Sequence, residues 1–168
     1  MFMDKRAALL QRNFDYVDLR ITRWMARHGI TLLRIGLGIV FFWFGAIKLI
    51  PGLSPAQDLA ARTINMLTFG LVPPAISVPG LAIWECAIGL GLISGKFMRV
   101  TILLLLVQML GTLTPLALFP GETWRIFPIA PTLEGQYIIK NIVLVSAALV
   151  IGATVRGGYV LAEPSDCR

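Results

Sequence analysis

The chain has 168 residues, of which 57% are hydrophobic and 14% charged, with a mean hydropathy of +0.78. Water-soluble domains carry about a quarter charged residues, so this composition excludes an ordinary soluble core. The net charge of +6 suggests nucleic acid only until the charges are placed, because the basic residues gather at the ends of apolar runs, and no nucleic-acid partner is expected. At roughly 20 residues per span, the length accommodates four membrane helices with short connections. The expected fold is all-α, a four-transmembrane-helix bundle in contact with the lipid bilayer.

Residues 1–28 read as an in-plane amphipathic helix on the cytoplasmic side. Leu10, Phe14, Val17, Ile21 and Met25 recur at steps of four and three, which is one face of a helix. Arg12, Arg20, Arg23 and Arg27 fall largely on other faces, beside anionic headgroups. The bundle is expected over 29–156. Its first span, 29–50, is closed by Pro51 and carries Arg34, Gly38, Phe41, Gly45 and Lys48 on one stripe. Glycines let helices approach closely, so this stripe should face other helices. Arg34 and Lys48 lie roughly 21 Å apart along the axis, and the alternative for each is snorkelling to its nearer interface.

Ser54, Pro55 and Gln57 supply a cap, a first-turn proline and a capping-box acceptor. A short external helix should follow and end near Gly70. The second span, 76–95, contains Glu85 in otherwise uncharged sequence. A carboxylate at mid-bilayer depth is normally protonated, paired or turned to a polar cavity. Val78, Ala82, Gly89 and Leu92 share its stripe, so Glu85 should face the bundle and is the candidate proton carrier. The third span, 100–119, places Gln108 at a similar depth, and a Glu85–Gln108 hydrogen bond is the simplest structural role for both.

A proline-rich external segment, PGETWRIFPIAPTLEG, then caps the bundle or dips into its mouth, with Trp124 and Phe127 suited to the interface. The fourth span, 136–155, carries Lys140 and Asn141 about one turn below its outer end, after Glu134. Lys48 and Lys140 are therefore expected to converge with Glu134 or Glu85 around one pocket. Two independent snorkelling lysines are the alternative. Residues 157–168 form a tail.

Ten basic residues mark one side: Lys5, Arg6, Arg12, Arg20, Arg23, Arg27, Lys96, Arg99, Arg156 and Arg168. Only Arg62 and Arg125 fall in the opposite loops. This asymmetry predicts cytoplasmic N and C termini. His28 is the one histidine, and Cys86 and Cys167 form no CxxC. Neither a haem nor a metal site is expected, and no phosphate-binding loop or nucleophile elbow occurs.

RIGLGIVFFWFGAIKLIPG, WECAIGLGLISG and EGQYIIKNIVLVSAALVIGA resemble the DoxX-like family of small four-helix integral membrane proteins, over about residues 30–157. The resemblance implies a bundle in the cytoplasmic (inner) membrane of a prokaryote. It also implies association with quinone-linked or thiol and oxidative-stress complexes, since some relatives are membrane subunits of thiosulfate:quinone oxidoreductase. A quinone is then the candidate cofactor, and a redox protein or a second copy the candidate partner. On that reading Lys48, Lys140 and Asn141 donate to a carbonyl or anion, Glu134, Gln108 and Arg34 complete the polar set, and Trp43 and Phe41 pack the ring. The rival readings are a non-catalytic membrane adaptor or anchor and a small transporter or channel subunit. No self-contained catalytic motif is present, so any enzyme role is that of an oxidoreductase's membrane subunit.

Overall fold

The computed structural model describes residues 2–50, 52–54 and 57–158, with side chains from residue 15 onward. The expectations on Pro51, Pro55, the Leu10 and Phe14 side chains, and the tail beyond residue 158 with Cys167 lie outside the described residues. The chain divides into two units, residues 1–33 and 34–168.

Helix α1 (Phe2–Lys48) is continuous through residue 29, where the sequence reading changes element. Proline is absent from its whole length, so no residue removes a ladder donor. In the first unit Tyr16, Val17, Ile21, Trp24 and Met25 are exposed. These are apolar positions of the face expected to lie on the membrane. Trp24 and His28 stack one turn apart, and His28 Nδ1 lies 3.0 Å from the Trp24 carbonyl.

The second unit holds the bundle. Four helical stretches are long and apolar enough to cross a membrane: Asp15–Lys48, Pro74–Ser94, Met98–Leu118 and Leu133–Thr154. Three of them start two or three residues earlier than hydropathy suggests, because capping chemistry sets helix ends. Helix α2 (Gln57–Leu67) follows α1. The expected capping box does not close, since Gln57 Oε1 is buried without a hydrogen-bond partner. Helix α3 (Pro74–Ser94) opens on Pro73 and Pro74, in an extended cap and at its first position. It ends on Gly95, whose φ of 70° suits a residue without a Cβ.

Helix α4 (Met98–Leu113) passes through Thr114 into α5 (Pro115–Leu118). Pro115 cannot donate to the Gly111 carbonyl. Thr114 Oγ1 does so instead at 2.7 Å, and the span continues. Helix α6 (Pro120–Thr123) leads into an antiparallel hairpin of β1 (Trp124–Ile126) and β2 (Ala130–Pro131), a strand pair the sequence reading did not anticipate. Helix α7 (Leu133–Thr154) is capped by Thr132, whose Oγ1 accepts from Gly135 N at 3.2 Å and donates to the Glu122 carbonyl at 2.6 Å.

Leu37 and Phe41 of α1, Ile88 and Leu92 of α3, Ile102, Leu105 and Met109 of α4, and Ala147, Ala148 and Ile151 of α7 form the apolar core. Large apolar residues such as Leu110 and Val143 point outward, as lipid contact requires. An all-α membrane bundle results. Its core turns polar, at buried Glu85 and Gln108, toward the end that carries α2 and the hairpin.

Candidate functional site

Gly38, Gly45 and Gly89 bring α1 and α3 into backbone contact. A Cβ added at Gly45 would lie 2.8 Å from Cys86 N, and one at Gly89 would lie 2.5 Å from Phe42 N. This close approach fixes the rotation of both helices, so their next polar residues meet. One turn beyond Gly45, Lys48 Nζ donates to Glu85 Oε2 at 2.6 Å. One turn beyond Leu105, Gln108 Nε2 donates to Glu85 Oε1 at 2.8 Å. Both carboxylate oxygens of Glu85, which is only 8% exposed, are thereby occupied. The orientation of the Gln108 amide follows from this, because a carboxylate accepts only N–H. Gln108 Oε1 is left buried with no partner.

The remaining expected residues lie elsewhere. Arg34 is at the opposite end, where Nη1 donates to the Leu92 carbonyl at 2.5 Å and the Ile93 carbonyl at 3.3 Å. It satisfies C-terminal carbonyls of α3, a favourable place for a cation, and takes no part in the Glu85 group. Phe41 is a core residue at 4% exposure, whereas Trp43 is 66% exposed. Two helical steps turn a side chain by about 200°, so these aromatics cannot jointly hold one ring.

Lys140 does not share the carboxylate of Lys48. Its ammonium lies 5.1 Å from the centre of the Tyr137 ring on the same helix. Among the described residues the ion pairs are Lys48–Glu85 and Arg62–Glu122, so neither Lys140 nor Glu134 belongs to one. Lys140 nevertheless lies four, seven and eleven residues before Leu144, Ala147 and Ile151, which pack into or against the core. That spacing is one helix face. Tyr137 and Asn141 fall on the same side, seven residues before Leu144 and Ala148. The first turn of α7 rests on the hairpin side through buried Gly135. A Cβ at Gly135 would run into the Thr123 carbonyl and Pro131.

A clasp over this end has no signature in local sequence. Arg62 of α2 donates Nη1 to Glu122 Oε1 at 2.7 Å and Nη2 to Glu122 Oε2 at 2.6 Å, and it lies over the Phe119 ring. The Arg62 hydrogen bonds hold the Glu122 carboxyl below its ordinary range, and the same bonds raise the guanidinium. The pair joins α2 to α6 across 60 residues of sequence, a separation that no local pattern reveals.

Two surface concavities, of about 430 and 400 Å³, are lined by Gly95, Phe97–Val100 and Val155 and by Tyr16, Val17, Arg20, Ile21 and Trp24 respectively. Neither includes Lys48, Glu85 or Gln108. Among the described residues no group of three or more His, Cys, Asp and Glu side chains is placed to hold a metal ion.

A family model described as DoxX matches residues 29–118, more than half of the chain. The match ends at α5, so Glu134, Lys140 and Asn141 lie beyond it. Comparison with characterised proteins returns no match, and neither does comparison with solved structures.

Proposed function

The chain belongs to the DoxX family, and from that premise we propose that it is the integral membrane subunit of a redox-associated complex, with a small ligand held at Lys48–Glu85–Gln108. The observation that carries this reading is Gln108 Oε1, a buried acceptor left without a donor beside a buried ion pair. Buried polar groups are otherwise nearly always paired. A quinone-type head group fits the donor set in kind: Lys48 offers N–H to a carbonyl, and Gln108 Oε1 accepts from a hydroxyl. When bound, such a ring supplies the electron-carrying chemistry. The protein's part is to orient the ring and exchange a proton at Glu85. The Lys48 and Glu85 side chains keep only 11% and 10% of their surface exposed, and Gln108 Oε1 is buried. A ring would therefore meet Lys48 and Glu85 at the rim and reach Gln108 Oε1 only by parting the helices.

Mass spectrometry of small molecules retained after extraction in mild detergent tests this reading. A ring compound is expected at near one equivalent, and Gln108→Leu should lower its retention about ten-fold, the loss of one buried hydrogen bond. The mutual satisfaction of Lys48 and Glu85 favours a second reading, an adaptor whose polar cluster specifies helix packing. Recovery of a stoichiometric protein partner with no small molecule would establish that alternative and sink the first.

The proposed setting is a prokaryotic cytoplasmic membrane with both termini inside, supported by the ten-to-two basic asymmetry given above. In a background lacking Cys86 and Cys167, Asp58→Cys should react with an impermeant maleimide in whole cells and Lys96→Cys should not. The reverse pattern overturns the orientation.

A further inference from the structure

Lys48 and Lys140 carry the same charge near the same end of the bundle, but their electrostatic situations differ. Lys48 is neutralised by Glu85 at 2.6 Å. Among the described residues Lys140 has no carboxylate partner, and its ammonium lies over the Tyr137 ring, 5.1 Å away. Glu134 lies six residues earlier, about 9 Å along the axis by helical rise. It occupies the first turn of α7, where the helix dipole already favours an anion.

Depth makes the free charge informative. Lys140 is seven residues inside the Leu133–Thr154 span, roughly 10 Å from its end. A cation at such a depth is paired, or faces a polar cavity. Its stripe is that of Leu144, Ala147 and Ile151, so it lies on the core-facing side of α7. It is exposed there, while the first turn of the helix is seated on Thr123 and Pro131 through Gly135. Tyr137, 62% exposed, and half-buried Asn141 share that side. A ring, an amide and an unpaired ammonium thus line one open wall above the apolar core.

The geometry points to this wall, Lys140 with Tyr137 and Asn141, as a binding site for an oxyanion, separate from the neutral Lys48–Glu85–Gln108 group. The ammonium supplies the charge and the Asn141 amide a directional N–H. The Tyr137 ring limits solvent on one flank and adds a cation–π contact to the empty site. The same chemistry accepts a free oxyanion or the phosphate of an anionic lipid. This inference does not depend on the redox reading, because it concerns a different charge and needs no electron carrier.

Binding of inorganic sulfate and phosphate to the purified protein in an uncharged detergent is measured by calorimetry. Native mass spectrometry measures retention of phosphatidylglycerol against phosphatidylcholine. Wild type is expected to bind one anion equivalent in at least one of the two experiments. Lys140→Met should weaken it about ten-fold or more, Lys140→Arg should retain it, and Arg125→Gln, at the same end of the molecule, should leave it unchanged. Sulfate binding without phosphatidylglycerol retention assigns a free oxyanion, and the converse assigns a lipid. Wild type that binds neither probe overturns the site, as does folded Lys140→Met that binds as wild type does. Loss in folded Lys140→Arg equal to that in Lys140→Met overturns the charge-based account. The ring compound sought at Gln108 is scored in a separate extraction, so the two proposals fail independently.

Discussion

Lys48→Met is expected to lower bundle stability by about 3 kcal/mol, the low end of the cost of removing one partner from a buried ion pair. Lys48 and Glu85 meet at 2.6 Å with both side chains about nine-tenths buried. Without the ammonium, Glu85 keeps the Gln108 amide as its one partner. Uptake of a proton by the carboxylate at that depth limits the loss. Glu85→Gln retains an acceptor for Lys48 but strips its counter-charge, and should cost less. The double variant Lys48→Met with Glu85→Gln removes both charges and should recover most of the loss. Reversible unfolding in mixed micelles, read as a double-mutant cycle, gives the coupling. A Lys48→Met variant within about 0.5 kcal/mol of wild type would show that the pair adds nothing. A double variant equal to the sum of the singles would do the same.

Gly89→Ala and Gly45→Ala are expected to destabilise by about 2 kcal/mol each, the usual cost of overpacking a tight contact. The added methyl meets backbone in both cases: Phe42 N and Cα at Gly89, Cys86 N and the Ala82 carbonyl at Gly45. Backbone cannot swing aside as a side chain does, so α1 and α3 must separate and the Lys48–Glu85 contact lengthens with them. Gly36 and Gly111 serve as internal controls. A Cβ there meets nothing within 4 Å, so alanine should be neutral or stabilise by up to about 1 kcal/mol through helix propensity. Thermal unfolding of the four variants in one detergent decides the matter. Equal behaviour of Gly36→Ala and Gly89→Ala would mean that close approach does not hold α1 on α3.

Hydropathy and helical spacing are local properties, and what depends on them was legible in the chain. Three of the four spans agree with the helix starts to within three residues, as at Pro74 and Leu133, whereas the first lies in a helix that begins far upstream of residue 29. Glu85 was placed on the inward face by its small-residue stripe, and the Glu85–Gln108 hydrogen bond followed from matched depth. The identity of each charge's partner was not legible. Lys48 and Lys140 have the same local signature, a lysine near the outer end of an apolar span. Only the rotation imposed by Gly45 against Cys86 delivers Lys48 to Glu85. Only the seating of Gly135 against Thr123 and Pro131 leaves the core-facing side of α7 open at Lys140. Likewise the Arg34 contact with the α3 carbonyls and the Arg62–Glu122 clasp join residues about 60 positions apart. Composition determined that this chain crosses a membrane as four helices, because transfer to lipid depends on residue type and run length. Tertiary packing decided which lysine is neutralised and which is left without a carboxylate among the described residues, because pairing depends on ångström distances between helices distant in sequence.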